Sequence, residues 1–415
     1  VKARQLLILL AALALPLTGC TPQPPAPSPS SDVASAISPT GGASPQVGAD
    51  GCVTSFDPAA DYFPDKVTFS HATGITVEYH GSYKTVTVKE PVQGAAPETY
   101  VLVQCGAAPE LPADLAAAPR VTIPVKRVVT TSATQLPAFE LLDVVDSLAA
   151  VDTPDTVWSE PIKARIAEGA VVGVGNGTGG FNVEAIAALE PDLFVSSGFP
   201  DPAHDKLREL GVPVLGNAEW LETSPLGRAE WLKFTALLTN TEAAATEAFA
   251  TIEKDYEAVR SRVADVTERP TVFTGAPFQG EWFKAGGRSY AAQLLADAGM
   301  TYVFADDEST GSQPVAIEVM LEAAADADVW LNADFTRQWA NIAAMGGDEP
   351  RLLELRAAKE GRVYNPVLRV NATGGNDYWQ QGVVRPDLVL RDLAKIAHPD
   401  RFADVDFTFY EQMPA

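Results

Sequence analysis

A chain of 415 residues with a formal net charge of −24 is long enough for two lobes or domains. It is too acidic to suit nucleic acid or an anionic membrane surface as a partner. A few local arginines would still allow an anionic small ligand.

In chain order, Lys2 and Arg4 form a short basic segment, and the apolar run from Leu6 to Leu17 is interrupted only by Pro16. A spanning helix needs about 20 apolar residues, so this run fits the core of a signal peptide instead. It ends in Leu17-Thr18-Gly19-Cys20, which resembles the bacterial lipobox. That resemblance implies a signal over residues 1–19 and a lipid on Cys20, and hence an extracytoplasmic, membrane-anchored protein. The alternative is an ordinary cleaved signal with a chance cysteine. Residues 20–50 are rich in Pro, Ser, Ala and Gly, too poor in apolar surface to order, and read as a disordered tether.

With Cys20 assigned to lipid, Cys52 and Cys105 remain. In an oxidising compartment they are expected to pair; the alternative is two buried free thiols. The four histidines, at positions 71, 80, 204 and 398, show no zinc-site spacing. No structural metal and no resident cofactor are expected.

Residues 51–120 read as an N-terminal β segment, in which Ile75–Tyr79 and Lys84–Val88 alternate around a His80-Gly81-Ser82 turn and Tyr100–Val103 adds a third strand. From 121 to 240 strands and helices alternate, which argues an α/β lobe with a mostly parallel sheet. The pattern predicts a strand over Val125–Thr130, a helix from Pro137 through Leu148, and strands at Val171–Val174, Asp192–Ser196 and Val212–Leu215. Ser224-Pro225 opens a further helix, and Thr239 with Glu242 suggests a capping box for the next. That next helix, within 241–268, carries Phe249, Ile252, Tyr256, Val259 and Val263 at spacings of three and four. Residues 269–415 repeat the α/β alternation: strands at Thr271–Thr274, Val329–Leu331 and Val363–Tyr364, and helices at Tyr290–Ala298, Val315–Ala325, Pro350–Ala358 and Pro386–Ile396.

Two segments echo one another across the long helix. Asn182-Val183-Glu184-Ala185-Ile186 leads to Asp192-Leu193-Phe194-Val195, and Ala316-Ile317-Glu318-Val319-Met320 leads to Asp328-Val329-Trp330-Leu331. Each places a glutamate in a first helical turn, where the helix dipole favours it, then an aspartate before a buried strand. A duplicated lobe is the economical explanation.

Further stretches carry a family likeness: Val183 to Leu193, Asn217 to Trp231, Gly286-Gly287-Arg288-Ser289-Tyr290, Asp297-Ala298-Gly299 and Gly374-Gly375-Asn376-Asp377-Tyr378-Trp379. In this order they resemble the class III substrate-binding proteins of ABC importers, which serve iron siderophores, haem and cobalamin. The likeness runs from about Lys66 to the end. It implies two Rossmann-like α/β lobes joined by one long rigid helix, with the N-terminal β-hairpin segment set on them. It also implies a ligand held between the lobes, no catalysis, and one glutamate per lobe, Glu184 and Glu318, docking on the permease. The expected ligand is a ferric siderophore, with haem or a corrinoid as the alternative, and the protein is expected to act as a monomer.

Ligands of open α/β sheets bind past the carboxyl ends of the strands. That rule nominates Thr131, Ser132, Asn176, Gly177, Gly198, Phe199 and Trp220 in the first lobe. In the second it nominates Phe278, Trp282, Phe335, Arg337, Trp339, Arg369, Tyr378 and Trp379. Aromatic side chains suit a flat ligand, and arginines suit carboxylates, catecholates or phosphates. Gly175-Asn176-Gly177-Thr178-Gly179-Gly180 matches a dinucleotide-binding pattern, but no ribose-binding acid lies about 20 residues on, so it reads as a cleft loop. No Ser–His–Asp or Cys–His set stands out, which leaves an exported hydrolase or a non-binding structural lipoprotein as the lesser readings.

Overall fold

The computed structural model describes residues 46–177, 180–278 and 280–415. The expected signal, the lipobox-like segment at Cys20 and most of the expected tether lie outside these described residues.

Two five-stranded sheets organise the chain. The first has the spatial order Val172–Gly173, Leu148–Val151, Val128–Thr130, Leu193–Ser196, Val214–Gly216, all parallel. The second runs Thr301–Tyr302, Thr271–Thr274, Val329–Leu331, Val363–Asn365, then Glu411–Gln412, with only the last strand antiparallel. Four strands share one order in both lobes. Leu193–Ser196 and Val329–Leu331, the strands of the sequence echo, occupy the same central place, so the echo is a topological repeat.

The helix Glu242–Val263 joins the lobes. At 1.5 Å per residue it is about 33 Å long. Its buried stripe of Ala245, Phe249, Ile252, Tyr256 and Val263 packs between Leu232–Thr239 and Pro386–Ala397. The Tyr256 hydroxyl donates to Asp297 at 2.7 Å, tying it to the second lobe. One apolar cluster runs from Ala138 and Leu226 of the first lobe to Leu390 and Phe409 of the second. The back of the molecule is therefore a continuous core.

Ahead of the lobes stands a four-stranded sheet: Ile75–Tyr79, Tyr83–Val88 and Glu98–Gln104 antiparallel, with Arg120–Ile123 added in parallel. Val86, Tyr100, Leu102 and Ile123 share one core with Val128, Leu148 and Leu193 of the first lobe. Cys52 and Cys105 are disulfide-bonded with their Cα atoms 4.7 Å apart. Closing a loop of 53 residues contributes about 4 kcal/mol in the chain-entropy picture.

Buried carboxylates strap this sheet to the helices behind it. Lys84 is fully buried, with its ammonium on Glu242 and, at 2.9 Å, on the Leu237 carbonyl. Glu230 accepts from the amides of Ser70, His71 and Ala72 at 2.7–3.0 Å and from Lys233 at 2.6 Å. Glu222 accepts from Thr73 and Gly74.

Several expectations are corrected. The helix at Pro137 does not reach Leu148: it spans Leu136–Leu141, and Leu148–Val151 is a strand buried on both faces. A strand inside a parallel sheet is a continuous apolar run, which mimics a buried helix in sequence. The proposed Thr239–Glu242 capping box is absent, because Glu242 turns to Lys84 and Thr239 donates to its own helix at the Thr235 carbonyl. Residues Ser312–Ala316 form a strand on Glu281–Ala285, so the helix there starts only at Ile317. Pro350–Glu354 is a 3-10 turn followed by the short helix Arg356–Lys359.

Candidate ligand-binding cleft

The carboxyl ends of the first lobe's strands line a pocket of ≈ 310 Å³. Its walls include Thr130, Thr131, Ser132, Asp152, Thr153, Thr156, Ser197 and Phe199. Thr131 Oγ1 is buried without a hydrogen-bond partner among the described residues. Gln135 braces the floor, accepting from the Thr130 hydroxyl and donating to the Ser196 carbonyl at 3.2 Å. At the rim Phe199, 53% exposed, stacks on Trp220 with ring centres 4.5 Å apart and planes 10° from parallel. The Trp220 indole donates to the Ser197 carbonyl at 2.8 Å, which fixes the platform. Gly198 serves the backbone: its φ is +76°, and a Cβ there would lie 2.9 Å from that of Ala218. Asn176 and Gly177 are exposed and stand outside the pocket lining; Asn176 accepts from the Gly180 amide at 3.0 Å and closes its own loop.

On the second lobe, Phe335, Tyr378 and Trp379 form an aromatic cluster, with Phe335 5.1 Å from Trp379 and 6.1 Å from Tyr378. Asn376 holds it by donating to the carbonyls of Phe335 at 2.9 Å and Pro366 at 2.8 Å. Trp282 is not in this wall. It is fully buried against Phe273 and Trp330 and donates to the Thr274 carbonyl, so it belongs to the lobe core. Trp339 packs on that same core. Phe278 lies on a separate three-stranded sheet, 61% exposed.

The segment 369–384 of the second lobe reaches across to the first. Gln380 accepts from the Trp158 amide at 2.9 Å and donates to the Thr156 carbonyl at 2.8 Å. Asn371 and Thr373 both donate to the Asp155 carbonyl. A Cβ on Gly375 would come within 2.2 Å of the Thr156 oxygen, so only glycine permits this approach. Arg369 sits over the Trp158 ring. It lies 3.0 Å from Asp377, whose buried carboxylate accepts no hydrogen bond of good geometry among the described residues. Burial pushes the Asp377 carboxyl up to about 6, with Arg369 opposing.

Arg228, Arg337, Arg369 and Arg288 each already have a carboxylate. Arg228 is buried on Glu219 at 2.7 Å and lies over the Tyr290 ring from the second lobe. Arg337 pairs with Glu411 at 2.7 Å and donates to the Val367 carbonyl. Arg369 has Asp377, and Arg288 pairs with Glu308 on the surface. Sequence reasoning nominated Arg337 and Arg369 without their partners, because Glu411 and Asp377 are brought to them by tertiary contact or a local turn. Among the described residues no three His, Cys, Asp or Glu side chains converge to hold a metal ion.

Glu184 and Glu318 are both exposed in first helical turns. They differ in one respect: Glu318 pairs with Arg351 at 3.1 Å, whereas Glu184 has no charged partner among the described residues.

Comparison with known proteins places this geometry. Residues 128–365 match the family described as periplasmic binding protein; the match starts and stops on strands of the two sheets. Two uncharacterised lipoproteins of Methanocaldococcus jannaschii are similar. One is 29% identical over 68% of this chain and 67% of its own length. The other is 30% identical over 70% and 74%. Among solved structures, a periplasmic binding protein from Veillonella parvula has a TM-score of 0.54 at 18% identity, covering 76% of this chain and 98% of that one. A periplasmic haem-binding protein from Pseudomonas aeruginosa has a TM-score of 0.50 at 20% identity, covering 66% and 93%. These neighbours lie almost wholly within the present fold, while a quarter to a third of this chain lies outside them. Among the described residues no helix is long and apolar enough to cross a membrane.

Proposed function

The chain belongs to the periplasmic binding protein family, and on that premise we propose that it captures a ferric siderophore between its lobes and delivers it to the permease of an ABC importer. The observation that carries this is the pairing of two like lobes, each presenting aromatic side chains past the carboxyl ends of its strands: Phe199 and Trp220 on one side, Phe335 and Trp379 on the other. Such faces suit a bulky chelate with apolar edges. The continuous core behind the cleft and the bonds of Gln380 across it favour a modest shift of the lobes on binding. Glu184 and Glu318 would dock on the permease. The lipid on Cys20 would keep the protein at the membrane, a reading supported by the two similar lipoproteins.

Haem or a corrinoid is the second reading, favoured by the flat Phe199–Trp220 platform. None of the four histidines is placed to ligate such a ligand at the pocket. His204 is buried against Phe181 and Phe194, and His71 pairs with Glu253. His80 meets Thr85, and His398 meets the Gly299 carbonyl.

Tryptophan-fluorescence titration of the purified protein tests the proposal, with ferric hydroxamates, ferric catecholates, ferric citrate, haem and a corrinoid as ligands. Saturable quenching by a ferric chelate at submicromolar concentration is expected. Silence towards every chelate, in protein that circular dichroism shows to be folded, would remove the siderophore reading.

A further inference from the structure

The charge of the cleft narrows the ligand beyond that proposal, on which this inference rests. Among the described residues that line the first lobe's pocket, the one charged group is Asp152. The remaining polar lining is hydroxyl, from Thr131, Ser132, Thr153, Thr156 and Ser197. Hydroxyls both donate and accept, so they suit the carbonyl and N–O oxygens of hydroxamates as well as amide N–H groups, but they do not neutralise an anion.

The cationic side chains nearby have partners within the protein, Lys163 over the Trp158 ring being paired with Glu160. Arg228 is buried on Glu219, Arg337 is held by Glu411 and the Val367 carbonyl, and Arg369 lies against Asp377. Freeing any of them for a ligand would strand its carboxylate, and for Glu219 and Asp377 that carboxylate is buried, which is costly. The protein as a whole is strongly acidic, so its long-range field also repels anions.

We infer that the cleft selects ferric chelates carrying no net negative charge, which among siderophore chemistries means trihydroxamates, neutral or cationic, and not tricatecholate trianions or citrate complexes. Three hydroxamates neutralise ferric iron, and their iron-bound carbonyl and N–O oxygens can still accept hydrogen bonds from the hydroxyl wall, while the linking methylenes lie against Phe199 and Trp220.

The test is a ranked titration of the full protein by fluorescence and calorimetry at low and high salt. The ligands are a neutral and a monocationic ferric trihydroxamate, ferric tricatecholate, ferric citrate and a corrinoid. The trihydroxamates should bind at least about 100-fold more tightly than the tricatecholate, with little dependence on salt. The variant Asp152→Asn, checked by circular dichroism, should narrow that preference several-fold, since it removes the carboxylate that repels the trianion. Catecholate or citrate binding as tightly as hydroxamate would overturn the charge inference while leaving the receptor proposal standing. Silence towards every chelate would sink both. Binding of the corrinoid alone would overturn the siderophore and hydroxamate assignments together.

Discussion

Asp192 and Asp328 make the same bond in the two lobes. Each sits just before the central strand, and each Oδ2 accepts an amide at the start of the neighbouring first strand: Asp192 from Lys126 and Arg127 at 2.6 and 2.9 Å, Asp328 from Thr271 at 2.8 Å. In return each backbone amide donates to that strand, to the Arg127 carbonyl at 2.9 Å and the Thr271 carbonyl at 3.0 Å. The aspartate of the sequence echo thus sets the register of its sheet.

Asp328 also accepts from the Thr271 hydroxyl at 2.9 Å and pairs with Arg356. Asp192→Ala should therefore cost about 1 kcal/mol and Asp328→Ala about 2 kcal/mol, read from urea unfolding. Equal losses, or a larger loss at Asp192, would contradict the assignment of the extra bonds.

Glu230 is the strap on the N-terminal segment. Burial alone would raise its pKa, but the Lys233 ammonium and the amides of Ala72, Ser70 and His71 more than offset that and hold it below the usual carboxylate value. A carboxylate depressed in the folded state contributes stability that is present above its unfolded pKa and is lost as pH falls through the folded value. Glu230→Gln should cost about 3 kcal/mol at pH 7, and the gap to wild type should shrink on acidification below about pH 4. A gap that stays constant with pH would show that packing, not charge, was lost.

Asp377 has the opposite sign. With its carboxyl raised to about 6, well above the ordinary aspartate range, the folded state binds an extra proton between the two values, so this group's contribution to stability falls as pH rises through that window. Asp377→Asn should match wild type near pH 4 and exceed it by about 2 kcal/mol at pH 7.5, read as the difference in denaturation midpoints. A variant less stable than wild type at pH 7.5 would mean that the contact with Arg369 outweighs burial.

The docking proposal gives an asymmetric expectation. Glu184→Ala with Glu318→Ala should abolish uptake of labelled ligand by cells without changing its affinity. Singly, Glu184→Ala should be the more damaging, because Glu318 already spends part of its charge on Arg351. Uptake that survives the double variant would remove the docking role.

Much of this architecture was legible because it rests on local periodicity. The stripe of Phe249, Ile252 and Tyr256 marked the connecting helix, and Thr271–Thr274 is a strand with the bounds its β-branched run suggested. Leu148–Val151 was lost because burial on both faces erases alternation. Trp282 was misplaced for a related reason: position past a strand end does not distinguish a side chain turned to the cleft from one turned under it, and the outcome was decided by Phe273 and Trp330. The Lys84–Glu242 pair left no local signal at all, since its partners are 158 residues apart.

That separation also bears on the order in which the molecule assembles. The strands from Ile75 to Ile123 pair with near neighbours in sequence, but the carboxylates that bracket them, Glu222, Glu230 and Glu242, are synthesised some 150 residues later. Contacts of such range form slowly, since loop closure must come first. The N-terminal sheet therefore waits, with the Lys84 ammonium still in water, until the first lobe and the head of the connecting helix exist. A chain halted before Glu242 would carry that sheet without the counter-charge its buried Lys84 requires.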